Sequence, residues 1–80
     1  MQNTQIKILA FGMVAEALKQ DELWIQSAKD TEALLQQLKV QFPMLREIAF
    51  SVAINREVKH ENTLLTTEEE VALLPPFSGG

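Results

Sequence analysis

Residues 5–11, Gln-Ile-Lys-Ile-Leu-Ala-Phe, put Ile6, Ile8 and Ala10 on one side of an extended chain and Lys7, Leu9 and Phe11 on the other. This β-branched, period-two pattern predicts a central strand, well covered on one face. Gly12 closes it. The stretch 13–19 is rich in Ala, Glu, Leu and Lys. It predicts a short helix whose Val14, Ala17 and Leu18 share a face. Gln20 and Asp21 turn the chain, and 22–26, Glu-Leu-Trp-Ile-Gln, reads as a second strand. Asp30 is placed to cap a long helix that runs through Phe42. Leu34, Leu35, Leu38 and Phe42 line its buried stripe, while Gln36, Gln37, Lys39 and Gln41 fill much of the rest. Pro43 ends that helix, because the residue before a proline is pushed out of helical angles. One further turn is expected over 44–48. Residues 50–54, Phe-Ser-Val-Ala-Ile, alternate cleanly and predict a strand. Asn55-Arg56 makes a tight turn, since Asn tolerates the left-handed conformation such hairpins require. Residues 57–59 return as a short strand, 63–65 link, and 70–74 form the last strand.

The order is strand, short helix, strand, long helix, strand, strand, strand. One long helix against a mixed sheet is an α+β, two-layer arrangement. The whole of residues 1–80 reads as one domain, with 75–80 as an extended tail.

Composition narrows the function. Cysteine is absent, so there is neither a disulfide framework nor a thiol nucleophile. The chain carries a net charge of −4, and its lysines are scattered without forming a basic stripe. That argues against nucleic acid, where phosphate neutralisation supplies most of the affinity, and suits a partner with a basic docking face. No apolar run is long enough to span a membrane, and the first residues lack the pattern of a signal peptide. Cytoplasmic residence is the expectation. His60 stands alone in a polar stretch and reads as a solvated loop histidine, so no metal site is expected. Glu68, Glu69 and Glu70 lack the spaced oxygen ligands of a calcium loop and read as a solvated turn. No glycine-rich phosphate loop or nucleophile–base pair is present. The chain does not read as a self-sufficient enzyme.

The tail carries the candidate chemistry. Pro75-Pro76 cannot continue a strand ladder and favours an extended, semi-rigid stalk. Phe77 is an aromatic beyond the core, placed to anchor on a partner. Ser78-Gly79-Gly80 is slim enough to enter a slot that would exclude larger side chains. Together these features point to a C-terminal carboxylate that is itself the reactive group.

The run Leu73-Leu74-Pro75-Pro76-Phe77-Ser78-Gly79-Gly80 resembles the terminal signature of the small subunit of molybdopterin synthase, a ubiquitin-like sulfur carrier. Lys7–Gly12, Val52–Asn55 and Glu70–Ala72 agree with that family as well. The resemblance implies a β-grasp fold with about five strands packed on one long helix. It implies that a ubiquitin-activating-like adenylyltransferase, using ATP and Mg, joins the Gly80 carboxylate to AMP. A sulfur donor protein then leaves a thiocarboxylate on Gly80. The carrier docks on the synthase large subunit, within a heterotetramer, and sulfur passes to a pterin precursor (precursor Z, cyclic pyranopterin monophosphate) during molybdenum cofactor biosynthesis. On this resemblance Gly79 gives steric access, and Phe11, Val58 and Leu74 grip the large subunit. Pro75, Pro76, Phe77 and Ser78 follow the tail into it. The chain itself binds no cofactor, and the catalytic groups belong to its partners. Two segments depart from the family. Thr67-Glu68-Glu69-Glu70 replaces a turn that often contains glycine, and Val14-Ala15 stands where many members carry a basic residue. Three other readings stay open: a carrier for thiamine or another pathway, a ubiquitin-like modifier joined to target lysines, and a passive interaction module.

Overall fold

In the computed structural model the described residues are 5–66 and 68–75. The elements follow in order: β1 (Gln5–Ala10), α1 (Gly12–Leu18), β2 (Glu22–Gln26), α2 (Thr31–Gln41), a 3-10 turn (Pro43–Glu47), β3 (Ser51–Ile54), β4 (Glu57–Lys59) and β5 (Val71–Leu74). The five strands form one sheet in the order β2-β1-β5-β3-β4. β1 and β5 run parallel at its centre, and the other neighbours are antiparallel. This is the α+β arrangement expected from the periodicities, with the first and last strands side by side.

One face of the sheet packs on α2. Ile6 and Ile8 of β1, Ile25 of β2, Val71 and Leu73 of β5, and Leu34 and Leu38 of α2 are all buried to within 1% of complete. Val14 and Leu18 of α1 and Leu45 of the 3-10 turn close the ends of this core. Leu35 and Phe42, expected on the same stripe, pack against it only partly buried.

Asp30 and the 60–66 connection together cap the N-terminus of α2. The Ala33 N–H donates to Asp30 Oδ1 at 2.9 Å, as the sequence leads one to expect. The Glu32 N–H donates to Asn62 Oδ1 at 2.9 Å, and the Thr31 N–H to the Thr63 carbonyl at 2.9 Å. Three donors that a helix end would leave orphaned are therefore satisfied, two of them by the 60–66 connection.

Asn55 and Arg56 have φ of 52° and 71°. Positive φ at both central residues is the geometry that matches hairpin twist. Asn55 also fastens the hairpin to the start of β5. Its N–H donates to the Glu70 carbonyl at 2.8 Å, and its Oδ1 accepts the Glu70 N–H at 3.0 Å. Ahead of β5, the Thr66 N–H donates to Glu69 Oε1 at 2.6 Å.

The clean alternation expected over 50–54 is not what burial shows. Val52, Ala53 and Ile54 are all buried. Ala53 lies between Ala72 and Val58 in the sheet, and its methyl group is too short to rise above its neighbours.

The open sheet face and the root of the tail

The face of the sheet turned away from α2 is built by the other half of each alternation. Leu9 lies opposite Ala72, Ala72 opposite Ala53, and Ala53 opposite Val58, so one row crosses four strands. Ala53 and Ala72 are buried yet stand outside the core cluster. They form a low floor between the larger Leu9 and Val58. The next row holds Leu74, opposite Ser51. Phe11 extends it, because its N–H continues the ladder by donating to the Leu73 carbonyl at 3.1 Å.

Two of the three expected docking residues are prominent here. Phe11 is 46% exposed and Val58 43% exposed. Both are therefore surface side chains and not part of the α2-facing core. Leu74 is half-buried at the end of β5. The three share one face: Leu74 ends β5, Phe11 borders it at the end of β1, and Val58 lies on β4, beyond β3. Pro75, the first tail residue, is also half-buried. Pro76, Phe77, Ser78, Gly79 and Gly80 lie outside the described residues.

Trp24 also belongs to this face, and the sequence reading did not single it out. Leu23 and Ile25 turn into the core, so Trp24 between them points outward, 50% exposed and opposite Lys7. The signal was the period-two pattern of 22–26 itself. One ion pair lies beside Trp24 and another at the hairpin on the far side of the sheet. Lys7 Nζ lies 3.6 Å from Glu22 Oε1, and Arg56 Nε lies 3.8 Å from Glu70 Oε1. Exposed pairs of this kind add little stability but can set docking register. The open face is thus polar around Trp24 and apolar from Leu9 to Phe11, Leu74 and Pro75.

Perturbed carboxylates lie elsewhere. Hydrogen bonding from the Ala33 N–H, then from Asn62, holds Asp30 below its ordinary value. The Lys59 ammonium, which donates to Glu57 at 2.9 Å, lowers Glu57 and is itself raised. His60 is exposed. Among the described residues no group of three or more His, Cys, Asp or Glu side chains could hold a metal ion, and no helix is long and apolar enough to cross a membrane. The surface the structure offers is an open, partly apolar sheet face beside the end of β5.

Comparison with known families matches the ThiS family over residues 8–80. The chain belongs to the ThiS family. Its relatives include the molybdopterin synthase sulfur carrier subunit of Mycobacterium tuberculosis, 32% identical over 95% of this chain and 98% of the relative. The subunit of the same name from Arabidopsis thaliana is 30% identical over 98% of this chain and 85% of its own length. Among solved structures, the small archaeal modifier protein 1 of Methanosarcina acetivorans superposes with a TM-score of 0.80 at 23% identity, covering all of both chains. A complex of subunits 1 and 2 of the molybdopterin-converting factor from Helicobacter pylori contains a chain that superposes with a TM-score of 0.70 at 24% identity, covering 95% of this ThiS-family chain and 99% of that one. These likenesses establish the ubiquitin-like β-grasp fold. In the Helicobacter structure the matching subunit is seen together with a second subunit.

Proposed function

We propose that this chain is the sulfur carrier subunit of a molybdopterin synthase, working in the cytoplasm, with the reactive sulfur on Gly80. The observation that carries the reading is near full-length alignment, at 30% and 32% identity, with subunits of that name. The family match runs through Gly80.

A carboxylate is a poor acyl donor, because its leaving group would be an oxide. Adenylation removes that obstacle. A Gly80 carboxylate oxygen attacks the α-phosphorus of ATP held with Mg by a ubiquitin-activating-like enzyme, and pyrophosphate leaves. Hydrosulfide released by a donor protein then attacks the carbonyl carbon, AMP leaves with the bonding electron pair, and the sulfur's proton passes to solvent. Gly80 is left as a thiocarboxylate. The open face bearing Phe11, Val58 and Leu74 docks on the synthase large subunit. Pro75 to Ser78 lead the tail into that subunit's active site, where the sulfur is transferred to the pterin precursor. Gly79 leaves no β-carbon to crowd the reaction centre. The carrier supplies reach and a leaving acyl group, and its partners supply the catalytic side chains.

The test is reconstitution with the large subunit, the adenylyltransferase, ATP, a sulfur source and the pterin precursor. The expected product is the dithiolene pterin, formed only when Gly80 is present. Gly80 found instead in isopeptide linkage to protein lysines would assign the chain as a modifier.

A further inference from the structure

Gly12 and Pro75 meet where the tail begins. A β-carbon built on Gly12 in the L configuration would lie 2.7 Å from Pro75 Cγ, 3.6 Å from its Cβ and 3.7 Å from its Cδ. The pyrrolidine ring therefore occupies the space that a side chain at residue 12 would need. Gly12 also has φ of 57°, in the left-handed region that favours glycine. Its surroundings are fixed from both sides. The Phe11 N–H donates to the Leu73 carbonyl of β5 at 3.1 Å, while the Phe11 carbonyl accepts the Val14 N–H at 3.1 Å and the Ala15 N–H at 3.4 Å. The same peptide segment thus ends β1, starts α1 and borders the last residues of β5. Pro75 brings its own constraint, a φ locked by the ring.

We propose that Gly12 and Pro75 form a joint that sets the direction in which the chain leaves the sheet, and that both are positioning residues for the acyl-transfer chemistry at Gly80. The proposal rests on the carrier reading. Docking through the open face fixes where the domain sits on a partner. The joint then fixes where the tail points from that seat. Its loss acts mainly after docking, by lowering the fraction of docked carriers whose terminus reaches the reacting phosphate. Reduced preorganisation of this kind appears chiefly in the turnover of the docked complex.

The experiment compares the wild-type chain with Pro75→Ala, Gly12→Ala and a synthetic chain carrying D-alanine at position 12. D-alanine accepts positive φ and directs its methyl group away from the L position that meets Pro75. Each chain is charged by its cognate adenylyltransferase with ATP, Mg and sulfide, and the thiocarboxylate is followed by intact mass. Amide spectra report the fold. Pro75→Ala is expected to stay folded with a kcat lower by about tenfold or more and a smaller change in KM. Gly12→Ala should behave likewise, and D-alanine should restore kcat. Wild-type kcat in folded Pro75→Ala overturns the proposal. A loss confined to KM, or equal loss with both alanine enantiomers, does so too. If Gly12→Ala fails to fold, the Pro75→Ala and D-alanine chains carry the test. If the wild-type chain is not charged at all, the carrier reading fails. The joint is then judged by nuclear Overhauser contacts between the Gly12 α-protons and the Pro75 ring: their presence supports it and their absence overturns it.

Discussion

Asn62 Nδ2 donates to Asp30 Oδ2 at 3.2 Å, while Asn62 Oδ1 accepts from the Glu32 N–H and from the Thr31 hydroxyl. One amide side chain thus holds the cap residue of α2 and supplements its work. Asn62→Ala removes an acceptor for a helix N–H and a donor to the capping carboxylate. It should destabilise the domain by about 1 kcal/mol. Urea denaturation should show the midpoint lowered with the slope unchanged. A variant as stable as wild type would mean that water replaces the amide at no cost.

The same contacts set an acid limb. The Ala33 N–H, then Asn62, stabilise the charged form of Asp30 and hold its carboxyl below the ordinary 3.8, with Lys29 adding a smaller pull. A folded-state value below the unfolded one gives stability that is present above pH 3.8 and is lost as pH falls through the folded value. Asp30→Asn keeps an oxygen acceptor and cannot ionise, so its stability should fall less steeply below that pH. In Asn62→Ala the Asp30 carboxyl should titrate higher. Carbon-detected NMR titration of the Asp30 side chain reads both, and an unmoved Asp30 titration in Asn62→Ala would remove Asn62 from the cause.

The core helix supplies a packing prediction. Leu38 is fully buried, as is Leu34 one turn earlier. Leu38→Ala should cost about 2–5 kcal/mol, the range for a large-to-small change in a packed core. Thermal or denaturant unfolding checks it. Leu35→Ala, at a partly buried position on the same helix, should cost less.

Periodicity made the layers legible because burial of one face imposes it locally. Ile6, Ile8 and Ala10 needed no knowledge of their partners to be placed inward. Asp30 was legible for a similar reason, since a cap acts on donors a few residues away. Asn62 was not, because its contacts with Asp30 and Thr31 join residues 32 and 31 positions apart, and no local pattern encodes them. Gly12 looked like a strand terminator. Its closeness to Pro75 exists only because β1 and β5 pair in parallel at the centre of the sheet. Ala53 failed the alternation rule for a tertiary reason, the run of small and apolar side chains across one row of the open face. At the site, Phe11, Val58 and Leu74 were named through family resemblance, and the pairing register puts them on one face.

That shared face yields a binding prediction. Val58 is 43% exposed on the short strand β4, outside the α2-facing core. Val58→Asp should leave the domain folded and weaken capture by the large subunit, because an unpaired charge would have to be desolvated at an apolar contact. Calorimetric titration against the purified large subunit measures the loss. Trp24→Ala tests how far the contact extends toward the polar end of the face. Full affinity in Val58→Asp would take Val58 out of the interface.

The terminal residue gives the sharpest prediction. Cysteine is absent, so no side-chain thiol can hold the transferred sulfur. Deleting Gly80, or adding one residue after it, should abolish transfer. The core residues of β5, Val71 and Leu73, are unaffected by either change, so the unfolding midpoint should stay where it was. Gly79→Ala should slow charging by crowding the carbonyl without altering the fold. Intact mass after incubation with the adenylyltransferase, ATP and sulfide should rise by one oxygen-to-sulfur exchange, and fragmentation should locate it at Gly80. A wild-type chain that stays unmodified beside an enzyme shown to be active, or that carries the sulfur at another residue, would end the carrier reading. The fold and the docking face would then need a different purpose.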